Sequence, residues 1–149
     1  MINVVIGIVE NEEKILLIKR ERDDFIGLWG LPGGKVEECE HIDEAVKREM
    51  FEEIGLKMEF KKVLGFSSEI IHDKNSTSFI YVCLLSINNN DVITNSEFEY
   101  KWFTKDEIFN SKEVIESDKI FIEHFYINNK LDYLKMDCYK YGNGEYYWK

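Results

Sequence analysis

The residues from Gly33 to Lys57, GGKVEECEHIDEAVKREMFEEIGLK, carry the pattern that most restricts how this chain can fold. Ile42, Val46, Met50 and Ile54 recur at i, i+4 spacing, with Ala45 beside them, and so form one drifting apolar stripe on a helix. Gly55 follows as the residue that ends it, which predicts a helix from about Ile42 to Ile54. The flanking segments are β-rich. INVVIGIV and KILLIKR, separated by ENEE, predict a hairpin, and MEFKKVLGFSSEII and STSFIYVCLLSI predict two strands around the turn HDKN. ERDDFIGLWGLPGG predicts a loop, and NNND a further turn. FEYKWFT predicts a short strand, KDEIF opens a short helix, and SDKIFIEHFYINN has helical apolar spacing. The tail YKYGNGEYYWK predicts a terminal hairpin around Gly-Asn-Gly. Strands and helices mix without strict βαβ alternation. The expected fold class is therefore α/β, of the α+β type: a mixed β-sheet with helices packed on it, as a single domain over residues 1–149.

The carboxylates of the predicted helix are placed in an unusual way. A solvated acidic face would lie opposite the apolar stripe, as Glu44 and Lys47 do. Glu49, Glu52 and Glu53 instead run along its edge. Like charges at this spacing destabilise a helix by roughly 0.2–0.5 kcal/mol per pair, and neighbouring apolar surface raises that cost. A cluster of anionic oxygens on a rigid element suits a hard divalent cation. Arg48 sits beside the trio, where it can fix the orientation of one carboxylate or form an ordinary surface pair with Glu44 or Glu52. The preceding PGGK turn, with Gly33 and Gly34, lets backbone approach a ligand closely.

These residues resemble the signature of the Nudix hydrolase family (MutT-like): Gly34, Glu40, Arg48-Glu49, Met50, Glu52-Glu53, Gly55 and Leu56, every fixed position filled at the family's spacing. The flanks LWGLPGGKVE and EYKWFTKDEI are similar to the family as well, and the resemblance extends to about Phe109. It implies a Nudix fold, a mixed sheet sandwiched between helices, and a hydrolase of a diphosphate linkage in a small nucleotide. It implies Glu49, Glu52 and Glu53 as ligands of Mg²⁺, with Mn²⁺ able to substitute. It implies Arg48 as the residue orienting Glu49, Glu40 as a supporting carboxylate, and Gly33 and Gly34 as the loop shaping the site. The general base it implies is either a signature glutamate, Glu52 or Glu53, or a glutamate from a later loop. SEFEY offers Glu97 and Glu99, and the turn-rich residues before it favour Glu97.

Two positions depart from the family's pattern. Cys39 stands where many members have glycine, which implies a turn without positive φ. His41 stands where a Ser or Thr would cap the helix, a loss of part of about 1 kcal/mol.

The base-binding side is less defined. Phe25, Leu28 and Trp29 precede the loop and have the faces to stack on a nucleobase, although a Trp at this position equally serves core packing. The aromatic tail, Tyr139 to Trp148, offers either a second platform or a hydrophobic edge through which a homodimer would form. The expected substrate is a nucleoside triphosphate, oxidised or otherwise non-standard among the options, cleaved to monophosphate and pyrophosphate. A nucleoside diphosphate sugar or ADP-ribose is the alternative. No proline follows Pro32, and Ile70 to Asp73 holds no tyrosine, which weakens the ADP-ribose and dinucleoside polyphosphate readings. A non-catalytic nucleotide sensor is the alternative of another class, against which the intact trio argues.

Composition narrows the partners. A formal net charge of −10 disfavours nucleic-acid polymers and anionic membranes. No apolar run approaches the roughly 18 residues of a membrane span, and MINVVIGIVENEEK reads as a first strand and not a signal peptide. Three cysteines without metal-type spacing fit free thiols in a reducing, cytoplasmic setting.

Overall fold

The computed structural model describes residues 1–21, 24–92 and 96–149. Strands β1 (Ile2–Asn11) and β2 (Lys14–Lys19) form the predicted hairpin, turning through Glu12 and Glu13, both at positive φ. They pair only at that turn, Glu10 with Ile15 and Asn11 with Lys14. Beyond it they part. β1 pairs in parallel with β6 (Ser76–Val92) and receives the short β4 (Gly33–Lys35). β2 takes β3 (Trp29–Gly30) and β7 (Tyr100–Thr104). β5 (Leu56–Ile71) runs antiparallel to β6 and parallel to β8 (Tyr133–Lys140), which pairs with β9 (Tyr146–Trp148). The sheet order is β3-β2-β1-β6-β5-β8-β9.

The central strands are apolar on both faces, and this dictates helices on both sides. Val5, Val9, Leu16 and Ile18 face one cluster with Ala45, Val46, Met50 and Ile54 of α1 (Ile42–Ile54). Ile6, Ile8, Ile15 and Leu17 face another. That second cluster holds Ile108 of α2 (Lys105–Asn110), Phe121 of α3 (Glu116–Phe121), and Ile122 and Phe125 of the π-helical turn (Ile122–Ile127) that continues α3. Burial of each such aliphatic side chain stabilises the fold by about 1.5–3 kcal/mol. The predicted mixed sheet between helices is the fold observed.

The helix α1 has the predicted bounds, and Gly55 ends it at φ 76°, its N–H donating to the Phe51 carbonyl. His41 starts it without a side-chain cap. Three expectations are corrected. Cys39 does adopt positive φ, 59°, so the turn keeps its left-handed geometry without a glycine. The NNND segment is not a turn: β6 continues through it to Val92, where pairing with Leu56 of β5 outweighs local turn preference. The loop after β2 contains β3 and β4, because Leu31–Gly34 threads beside β1 with the Gly7 N–H bonded to the Pro32 carbonyl at 2.9 Å. Among the described residues, no helix is long and apolar enough to cross a membrane.

Candidate active site

The edge of α1 that carries Glu49, Glu52 and Glu53 faces the region where β1 and β2 part. There a cleft of about 310 Å³ is lined by these three glutamates, Gly33, Arg20 and Glu97, among others. The cleft therefore gathers backbone from β4 with side chains from α1, the residue after β2 and the loop before β7.

Gly34 makes the approach of helix and loop possible. A Cβ at this position would lie 2.6 Å from Glu49 Oε2, so the carboxylate occupies the space a side chain would need. A Cβ on Gly33 would collide with the Val5 carbonyl. A side chain at Gly33 would have to displace backbone, whereas one at Gly34 would have to displace the Glu49 carboxylate.

Arg48 is the hub. Its Nε and Nη2 grip Glu40 at 2.7 and 3.0 Å, and Nη2 also donates to the Lys35 carbonyl at 3.0 Å. Nη1 donates to Glu49 Oε1 at 2.8 Å and to Glu52 Oε2 at 3.2 Å. The guanidinium thus ties the loop after β4 to the helix and aims two carboxylates at once. Hydrogen bonds from Arg48, then from the Glu37 N–H, hold the Glu40 carboxyl down to about 2. The Glu44 pairing considered from sequence gives way to this longer-range partner, eight residues earlier.

Glu53 has the opposite environment. It is 6% exposed, and its Oε2 is buried without a hydrogen-bond partner. Burial first, then the charge of Glu49, pushes its pKa well up, against smaller opposing effects of the Gly33 N–H and Arg20. An orphaned, buried carboxylate oxygen between like charges is an arrangement that a cation satisfies and a plain structural helix does not need. Among the described residues, no three acidic, His or Cys side chains already converge at metal-ligand spacing. The donor set, oxygen anions beside a glycine cradle, suits a hard divalent metal.

Glu97 lines the cleft and Glu99 does not. β7 starts only at Tyr100, so both precede the strand. Backbone bonds fix the loop just after Glu97: Phe98 N–H donates to the Glu53 carbonyl at 3.1 Å, and Lys19 N–H donates to the Glu99 carbonyl at 2.9 Å. Residues 93–95 of the turn-rich stretch lie outside the described residues.

The two aromatics separate. Trp29 is half-buried, packs edge-on against Phe103 at 5.3 Å and lines neither this cleft nor the cavity next to it. Phe25, at φ 65°, lines that adjoining cavity and packs on Tyr146 and Trp148 of the C-terminal hairpin at 5.5 and 5.6 Å.

Sequence reasoning missed Arg20, Glu69 and Asp118. Asp118 Oδ2 accepts the Leu31 N–H at 2.9 Å, and burial chiefly, with Glu69 nearby, pushes its carboxyl up to about 7. Burial also raises Glu69, against the bond from Trp148 Nε1 at 2.8 Å. A signal for Asp118 was present: it falls at i, i+3, i+4, i+7 with Phe121, Ile122 and Phe125, a carboxylate on an apolar helical face.

The NUDIX domain profile matches residues 2–125. An ADP-ribose pyrophosphatase of Methanocaldococcus jannaschii is 43% identical over 81 residues, 54% of this chain and 48% of that protein, so the match spans about half the relative's length. An 8-oxo-dGTP diphosphatase of Buchnera aphidicola is 30% identical over 71% of this chain and 79% of its own. The crystal structure of a MutT NUDIX hydrolase from Burkholderia pseudomallei superposes with a TM-score of 0.71 at 29% identity, covering 82% of this chain and 95% of that one. A glycine loop seated on a carboxylate helix, matched over most of the chain's length, places it: the chain belongs to the NUDIX family, hydrolases that act on pyrophosphate bonds and generally need a divalent metal.

Proposed function

We propose that this chain is a Mg²⁺-dependent nucleotide diphosphatase that cleaves a nucleoside triphosphate to the monophosphate and pyrophosphate, with Mn²⁺ able to replace Mg²⁺. The observation that carries the reading is the convergence of Glu49, Glu52, Glu53 and Glu97 on one cleft floored by Gly33. The diphosphatase named for the Buchnera relative supports a triphosphate substrate. The pyrophosphatase named for the Methanocaldococcus relative supports ADP-ribose as a second reading, over a shorter match.

Glu49, Glu52 and Glu53 would hold the cation. When bound, it neutralises phosphate charge and lowers the pKa of a water. The chain's own residues do the rest. Arg48 fixes the rotamers of Glu49 and Glu52 and, through Glu40 and the Lys35 carbonyl, the loop on which the phosphates rest. Gly33 and Gly34 bring backbone close to the substrate. Arg20, on the cleft wall, offsets the charge of the phosphates and the acidic cluster. Glu97, exposed at the rim, takes the proton from the attacking water as general base.

The test is a product screen over nucleoside triphosphates, nucleotide sugars and ADP-ribose, with Mg²⁺, Mn²⁺ or chelator. Monophosphate and pyrophosphate from a triphosphate are expected. Turnover confined to ADP-ribose or nucleotide sugars would replace the triphosphate reading, and no turnover with either metal would favour a nucleotide sensor.

A further inference from the structure

Glu97 lies between the end of β6 at Val92 and the start of β7 at Tyr100, outside either strand. It is exposed, so burial of its own side chain does not hold it at the cleft. The next residue, Phe98, is differently placed. Its N–H donates to the Glu53 carbonyl at 3.1 Å. Its half-buried side chain packs against the core cluster that contains Val46, Met50 and Ile54 of α1. It also lines the cleft, together with Ile18 and Glu53.

The Glu53 carbonyl is open to the loop for a physical reason. A helix leaves its last four carbonyls without partners of its own, and α1 ends at Ile54. The Gly55 N–H takes the Phe51 carbonyl, and the Phe98 N–H takes that of Glu53. One residue of α1 thus offers its carboxyl to the cleft and its carbonyl to the loop. A single backbone bond contributes little net stability, and ordering a loop costs conformational entropy. The aromatic ring, with its large apolar area set against the core, supplies the larger contribution.

Resting on the hydrolase reading above, we infer that Phe98 is a positioning residue: its ring and N–H fasten the loop to the last turn of α1 and so set where the Glu97 carboxylate stands. The cation ligands and the base are thereby referenced to one helix. A reacting group displaced by about 1 Å loses on the order of 10²-fold in rate, so a loosened anchor is costly even though Phe98 takes no part in the chemistry.

The test is a double-mutant cycle on the full chain between Phe98→Ala and Glu97→Gln. Phe98→Ala should lower kcat by about 10²-fold and keep KM within about threefold, because the substrate is held elsewhere. Mn²⁺ affinity should stay within about threefold, since α1 keeps its three glutamates. Added to Glu97→Gln, Phe98→Ala should cost less than about threefold more, since no base is left to misplace. Phe98→Leu, which restores most of the apolar volume, should recover about 10-fold or more of the loss. If Phe98→Ala does not fold, the milder Phe98→Val takes its place in the cycle, with an expected loss of about 10-fold. Losses that multiply in the cycle, a parallel fall in Mn²⁺ affinity, or wild-type kcat in Phe98→Ala would overturn the assignment. Hydrogen exchange by NMR reads the anchor without turnover. The amide at position 98 should exchange about 10-fold or more faster in Phe98→Ala than in wild type, and equal rates would also overturn the assignment. Full kcat in Glu97→Gln, with that amide still losing protection in Phe98→Ala, would sink the general-base reading alone. A large loss in Glu97→Gln with none in Phe98→Ala would sink the anchor alone.

Discussion

Replacing Glu53 with glutamine separates function from stability, because the two should move in opposite directions. The native carboxyl is 6% exposed, has an orphaned oxygen and faces the charge of Glu49. Leaving a buried polar group unsatisfied costs about 1–3 kcal/mol. The glutamine amide has nearly the same shape, carries no charge and can donate to the Glu49 carboxylate. Relief of that cost raises Tm of the metal-free protein by about 2–10 °C for a domain of this size. The pH dependence follows from the direction of the shift. The folded-state pKa of Glu53 lies above its unfolded value, so the stability linked to this group is complete below about pH 4.5 and is lost as pH rises through the folded pKa. The advantage of Glu53→Gln should therefore vanish near pH 4 and grow toward pH 9. Turnover should fall by about 10²-fold or more, the scale of a key electrostatic or acid–base group. Calorimetric melting in chelator across that pH range, with kcat at saturating Mg²⁺, checks both halves. A variant less stable than wild type at pH 8, with unchanged specific activity in its folded fraction, would show that Glu53 is structural.

Further outcomes follow from the same geometry. Glu97→Gln should lose most of its kcat while Glu99→Gln stays near wild type. The reverse result would move the base to Glu99, and losses under about threefold in both, less than 1 kcal/mol of barrier, would move it into α1. Gly34→Ala displaces the flexible end of Glu49 and no backbone, so stability should change by less than about 1 kcal/mol while metal affinity falls about 10-fold or more. Equal metal affinity in a folded Gly34→Ala would remove the cradle from the account.

Much of this arrangement could be read from local pattern. The bounds of α1 follow from a 3.6-residue stripe and a terminal glycine, and the β1–β2 hairpin from two apolar runs a short turn apart. What sequence hid was non-local. The parting of β1 from β2, with β4 taken up by one and β7 by the other, depends on pairings that no local window contains. Arg48 invited a helical i, i+4 partner, yet the tighter geometry was offered by Glu40 across the loop. The positive φ of Cys39 is set by the turn's backbone path and leaves no mark in the residue type, since a cysteine ordinarily disfavours it. Glu69 and Asp118 sit on separate elements, and each alone resembles an ordinary polar position. Only the packing of β5, α3 and β9 around one cavity brings them together.

In the proposed function, Glu49, Glu52 and Glu53 together hold a divalent cation in the cleft at Gly33. Mn²⁺ binding followed by electron paramagnetic resonance on the chelator-treated protein tests it without relying on turnover. Saturable binding is expected in wild type, competed by Mg²⁺ and weakened about 10-fold or more in Glu49→Gln and Glu53→Gln. Binding of equal strength in the wild type and both variants would place the cation elsewhere.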